Sequence, residues 1–456
     1  MTPHSPAAPG SPAQRLRPVL RLRDLVFYGI VIIQPIAPVP IFGVTQQLSG
    51  GFAATAVLIS GIAMLLTACS YGRLAALYPS AGSAYSYVGR GLNPHLGFLA
   101  GWAMALDYLI LPIVAVIQAA LAVQRLVPEI SYAGWAVTFV VLLTVINLRG
   151  IRSTMRANIV LLMCMLAVIG AFIFLAIAYL GHHEGGHHEG GHHEGVGSLF
   201  ALRPFYEEST FSPHAVATAT AFAALTYIGF DGVTTLAEDV ENPRRNVLLA
   251  IISVCAVITV FSCLLVYLAQ LVWPDYREYA NIETAFMDVT RRVGGVPLFQ
   301  AMGAIIVLGS LGSGLSGEVA AARLLFAMGR DGVLPRRFFG FIDAARGIPT
   351  LNVLLIAILT LAGCLSLDLE RAGELLNFGA FLSFMGVNLA AIRQQFFGSP
   401  APRARRVLPD LIVPAVGFLF CLAMWLSLPK PAKIVGGVWF ATGLLYRWAH
   451  QRVSRR

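Results

Sequence analysis

The sequence predicts an all-α integral membrane protein of about twelve transmembrane helices, and three observations predict it. The chain is 57% hydrophobic and only 12% charged, whereas soluble domains carry roughly 25% charged residues. Its mean hydropathy is +0.73, and the apolar residues fall in long runs near the roughly 20 residues that a helix needs to cross hydrocarbon. Between the runs stand residues that stop helices: Pro79–Gly82, Asn93-Pro94, Gly181, Asn242-Pro243, Gly347–Pro349 and Pro429.

This pattern places spans at 24–46, 53–77, 95–124, 131–148, 157–180, 214–239, 246–272, 298–326, 349–366, 372–393, 409–427 and 434–450. Residues 1–22 are rich in Pro, Ala, Ser and Arg and read as a disordered cytoplasmic tail. The first apolar run is too long for a signal-peptide core and lacks a small-residue cleavage site, so it is expected to remain as helix 1.

The formal net charge of +9 raises nucleic acid as a partner. The position of the charges argues against it: the arginines sit in short clusters between apolar runs, not along one basic face. With the N-terminus inside, 24 of the 32 Lys and Arg residues fall on the cytoplasmic side and 8 outside. That asymmetry predicts both termini in the cytoplasm of a bacterial inner membrane, and an even helix count.

The six cysteines lie in or at the ends of apolar runs without a CxxC pair, so free thiols are expected. Residues 181–195 repeat Gly-His-His-Glu-Gly three times in the outer loop 181–213. Paired histidines bind zinc or nickel, but a flexible repeat fixes no coordination geometry. No metal site and no cofactor is expected.

Two spans are interrupted. Helix 1 carries Gln34-Pro-Ile-Ala-Pro-Val-Pro40, and its three prolines break the helical ladder. Helix 6 carries Tyr227-Ile-Gly-Phe-Asp-Gly232. Irregular backbone at membrane depth is tolerated only where protein or a wet cavity satisfies it. Interrupted segments at matching places in two halves point to a transporter binding site, although each is also readable as a simple kink.

Three carboxylates fall within spans: Asp107, Asp231 and Glu318. An ionisable group there costs at least about 2.5–3.5 kcal/mol on insertion scales, so it has a partner or a job. The first ten spans hold no Lys, and their Arg residues sit near helix ends. Each acid also has a structural reading. Asp231 is placed to cap the inner half of helix 6, Glu318 to pair with Arg323, and Asp107 to hydrogen-bond a neighbouring helix.

Specific strings then identify a resemblance. They are Ser70–Leu74, Tyr78–Tyr87, Asn93–Phe98 with Gly101-Trp102, Tyr227–Asp231, Ala237–Asp239 before Glu241–Arg245, and Arg323 leading to Met328–Gly332. With them the chain resembles the amino acid–polyamine–organocation superfamily from about Leu22 to its C-terminus. Through Asp107-Tyr108 and Asn377–Ala380 its nearest likeness is to bacterial putrescine importers. The resemblance implies a LeuT-type fold: inverted five-helix repeats over 23–180 and 214–394, helices 11 and 12 over 395–450, and a tail at 451–456. It implies alternating access for a small-molecule amine or amino acid, coupled to protons or to exchange.

One departure bears on the substrate. Amino-acid carriers of the superfamily hold a Gly-Ser-Gly type segment at the helix 1 break, where free N–H groups receive a carboxylate. Here that segment is Ala37-Pro-Val-Pro40, and two of its four residues have no N–H. A cationic amine such as putrescine is therefore expected, with an amino acid as the alternative. The expected binding residues are Gln34, Ile36, Ala37, Asp107, Tyr108, Tyr227, Gly229, Phe230 and Asp231. Tyr108, Tyr227 and Phe230 are expected to wall an ammonium by cation–π contact. Glu318 and Glu238 are the expected proton carriers. HExxH, GxSxG and Walker motifs are absent, so the chain is not expected to be an enzyme. A non-transporting receptor is the remaining alternative.

Overall fold

The computed structural model describes residues 20–78, 83–149, 155–184, 199–330, 332–343, 347–398 and 406–454. Most of the expected N-terminal tail and of the His-rich repeat lies outside the described residues, as does the Pro79–Gly82 turn. Among the described residues the chain is helical, with two isolated β-bridges and no strand.

The helices are α1 (Leu22–Ile33), α2 (Phe42–Leu48), α3 (Ala53–Leu77), α4 (Ser83–Gly91), α5 (Pro94–Leu126), α6 (Tyr132–Arg149) and α7 (Met155–Glu184). Then follow α8 (Pro213–Ala223), α9 (Pro243–Val272), α10 (Ala285–Arg330), α11 (Arg336–Phe339), α12 (Thr350–Ser366), α13 (Leu369–Ile392), α14 (Val413–Ser427) and α15 (Lys430–Ser454). Among the described residues, nine helical segments are long and apolar enough to cross a membrane.

Local sequence explains the boundaries. α5 starts at Pro94, whose missing N–H falls where a helix needs none, and Asn93 caps it by accepting from the Leu96 amide at 2.9 Å. Ser212 and Pro213 open α8 in the same way. α1 stops at Ile33 because Pro35, Pro38 and Pro40 follow, and the chain becomes helical again only at Phe42. After α8 the sixth span tightens into a 3-10 turn at Ala224–Tyr227. It breaks at Ile228 and Gly229, then continues as 3-10 helix over Phe230–Asp239. α10 comprises two helices that meet at Gly295, whose φ of 63 and ψ of −159 are not helical; the second begins beside Pro297, at the start expected for the span from 298. The short α4 was not anticipated; it occupies what the sequence reads as loop.

Packing divides the helices into buried and lipid-facing sets. α5 is buried along most of its length, with α10 and α13 running against it, and α3 lies along α9. α7 and α14 expose large apolar side chains such as Met163, Phe174 and Leu419, as a bilayer-facing surface requires. Polar ties fix the buried set: Ser383 donates to the Ala100 carbonyl, Asn377 to the Ala221 carbonyl, and Ser70 to the Asn388 amide oxygen. α15 docks on α5 through Trp102 and Trp439. These rings stack at 5.0 Å, and each indole N–H donates to the other residue's carbonyl. All six cysteines are free thiols.

Candidate functional site

The site is built on one stripe of α5. Asp107, Leu111, Val114, Ala115, Gln118, Leu121 and Ala122 recur at helical spacing, so they lie on one face. Asp107 stands at one end. Leu111, Val114, Ala115 and Gln118 line a cavity of about 60 Å³ against the break in the first span and the middle of α10.

Asp107 is 2% exposed, and its Oδ1 is buried without a hydrogen-bond partner. The next residue, Tyr108, donates to Asp231 Oδ2 at 3.4 Å, and Ser83 donates to the same oxygen at 2.9 Å. Asp231 is itself 4% exposed. Tyr108 follows Asp107 directly on α5, so its hydroxyl links the helix that carries Asp107 to Asp231. Among the described residues neither acid is in an ion pair. A buried carboxylate pair without a cation is costly.

The capping reading of Asp231 is corrected here. Gly229 holds the cap position before the 3-10 helix, at φ 100, and Asp231 lies two residues further in. A side chain on Gly229 would be strained at that φ and would also meet Ile32 Cγ2 at 2.7 Å. The glycine thus lets the broken sixth span close onto α1.

At the first break Gln34 has a positive φ of 66 and donates from Nε2 to the Gly309 carbonyl at 2.9 Å. Ser83 is also a positive-φ residue, at 43. Two of the three described non-glycine residues with positive φ therefore make site contacts, as strained backbone at functional positions does. Gln34, Ile36 and Ala37 line the cavity together with Gln118, Ser310 and Ser313. The two amides that the Ala37–Pro40 segment still has are already used: Ala37 donates to the Gln34 carbonyl and Val39 to the Ile36 carbonyl.

Two expected aromatic walls face elsewhere. The Tyr227 hydroxyl donates to the Val57 carbonyl on α3. Phe230 is fully buried, packing edge-on against Tyr71 at 5.3 Å and tilted against Phe384 at 5.2 Å. Tyr227 thus ties the sixth span to α3, and Phe230 packs it against α3 and α13, rather than toward the Asp231 carboxylate. Of the three expected rings, Tyr108 alone touches a site carboxylate.

Glu318 is 2% exposed, and it accepts from Asn147 on α6 rather than pairing with Arg323. Its Oε1 is buried without a partner. Glu238 lies on the 3-10 helix after the second break, and its side chain is outside the described residues.

Sequence reasoning missed Ser83, Gln118, Ser310 and Asn147. Gln118 carried a signal: it is a polar residue in an apolar span, 11 positions after Asp107 and so on the same helical face. Ser83 carried none, because only the folding of α4 brings it to Asp231.

Comparison with known proteins places this architecture. Residues 39–428 match the family model described as amino acid permease, and the chain belongs to that family of membrane transporters. It is 32% identical, over 96% of its length and 94% of the relative's, to the low-affinity putrescine importer PlaP of Escherichia coli K12. It is 28% identical to the methylthioribose transporter of Bacillus subtilis, over 97% and 95% of the two chains. To the branched-chain amino acid permease BcaP of Lactococcus lactis it is 25% identical, over 95% and 94%.

Proposed function

We propose that this protein imports a cationic amine, putrescine or a related polyamine, across a bacterial inner membrane by alternating access. The observation that carries the reading is the Asp107–Tyr108–Asp231 unit: two buried carboxylates, neither ion-paired among the described residues, one with an unpartnered oxygen. A substrate ammonium supplies the missing charge. The helix 1 break supports the same choice, because its Ala37 and Val39 amides are spent in local turns and offer nothing to a substrate carboxylate. The putrescine importer among the relatives agrees with it.

In this reading Asp107 and Asp231 hold ammonium groups, Tyr108 orients Asp231 and covers the substrate, and Gln34, Ile36 and Ala37 shape the cavity beside them. Glu318 carries the coupling proton between α6 and α10, or transport proceeds by exchange. The nine apolar segments, the broken first span, α12 and α15 together make twelve crossings. Helices 1–5 and 6–10 form the two inverted repeats, over 23–180 and 214–394.

Uptake of labelled putrescine into proteoliposomes, set against a panel of amino acids, tests the substrate. Putrescine is expected to accumulate, and neutral amino acids to compete poorly. Accumulation of an amino acid without putrescine uptake replaces this reading with that of an amino acid permease. Topology is tested separately. Tags at both termini are expected to report cytoplasm and a tag within residues 181–195 the outside; a C-terminal tag reporting the outside removes the twelve-helix count.

A further inference from the structure

The cleft continues past Gln118. A second, smaller cavity of about 10 Å³ is lined by Gln118, Glu283, Thr284, Pro40, Met287 and Ile306, among others. It shares Pro40, Gln118 and Ile306 with the larger cavity, so the two adjoin across these side chains. Glu283 and Thr284 belong to the short 3-10 turn Ile282–Thr284, in the connection from α9 to α10. In the proposed topology this is the outer mouth.

The chemistry of this mouth is that of an ammonium receptor. Thr284 is 7% exposed, and its hydroxyl has no hydrogen-bond partner. Glu283 spends one oxygen on the Leu369 amide, at 3.1 Å, and a carboxylate has lone pairs to spare. Gln118 Oε1 accepts from Ser310 at 3.3 Å and retains a second lone pair. The charges around the mouth leave a cation unopposed. Asp368 and Glu370 stand beside Glu283, Arg371 is paired with Asp368, and Arg125 with Asp288. A void of this volume takes one water-sized group, which is the size of an –NH3+ head and not of a carboxylate with its chain.

We propose that Glu283, the Thr284 hydroxyl and the Gln118 amide oxygen form a second, outer binding subsite for a primary ammonium group. It is distinct from the Asp107–Asp231 pair. Asp107 and Gln118 are 11 residues apart on α5, roughly 16 Å along the axis, too far for one four-carbon diamine to reach both. The outer subsite captures an amine at the mouth and passes it along the α5 stripe to the inner pair. This rests on the amine reading above.

Equilibrium dialysis of labelled putrescine against the purified full-length protein, with uptake kinetics in proteoliposomes, tests it. The wild type is expected to show two classes of binding. Glu283→Gln keeps an acceptor for the Leu369 amide but removes the charge. It is expected to lose the weaker class and to raise KM about tenfold without lowering kcat. Thr284→Val, which keeps the shape, is expected to shift KM in the same direction. Asp107→Asn should lose the tighter class and keep the weaker. A single class in the wild type, or both classes intact in Glu283→Gln, overturns the subsite. So does a large drop in the melting temperature of substrate-free Glu283→Gln, which would mark a structural role. Failure of the amine reading itself shows earlier, as a wild type that binds no putrescine at all.

Discussion

Asp107→Asn is expected to abolish high-affinity putrescine binding while leaving the substrate-free protein as stable as the wild type. Asparagine keeps the size of the side chain and removes its charge. Truncating one member of a buried charge pair typically costs about 2–5 kcal/mol, because the other charge is left unpaired. That corresponds to a loss of roughly 30-fold to several-thousand-fold in affinity. Stability should hold because Oδ1 of Asp107 makes no hydrogen bond that the substitution could break. Melting temperature and putrescine binding measured on the same purified protein separate this from a structural role. Substrate-induced stabilisation, which follows RT ln(1 + [L]/Kd), should vanish. A variant that melts early but binds normally would place Asp107 outside the site.

The sequence carried the helices well and the site only in part, and the reason is physical. Membrane spans are written in local hydropathy, so the twelve expected segments coincide with helical stretches within a few residues. The helix before Gly295, in the first part of α10, reads as loop in the sequence, because its Asp288, Arg291 and Arg292 interrupt the apolar pattern. Broken backbone is also local, and prolines at 35, 38 and 40 announce it. Side-chain direction is not local. Nothing in Tyr227-Ile-Gly-Phe-Asp231 says that the two rings turn toward α3 and α13 while the acid turns toward Ser83. That depends on the 3-10 winding after Gly229 and on where α4 packs. Asn377–Ala380 was legible as a likeness before any reason for it was visible. The structure supplies the reason, in the approach of α13 to α5.

Gly379→Ala is expected to lower both the melting temperature and the affinity for putrescine. α13 crosses α5 so closely at this residue that an added Cβ would lie 2.4 Å from the Ala103 carbonyl oxygen, 3.1 Å from the Asp107 amide nitrogen and 3.2 Å from Leu106 Cβ. The first two are backbone atoms of a long buried helix and cannot rotate away, so the helices must separate. Overpacking of this kind costs about 1–3 kcal/mol, occasionally more. Here the displaced backbone is that of Asp107 itself, so the carboxylate moves relative to Tyr108 and Asp231. The control is Gly437→Ala on α15, where a new Cβ meets nothing within 4 Å. A helix-interior Gly→Ala change without a clash is neutral or stabilising, by up to about 1 kcal/mol. Gly379→Val should act in the same direction as Gly379→Ala and more strongly. If Gly379→Ala matches the Gly437→Ala control in melting temperature and in putrescine binding, then the contact between α13 and α5 does not set the position of the acid pair.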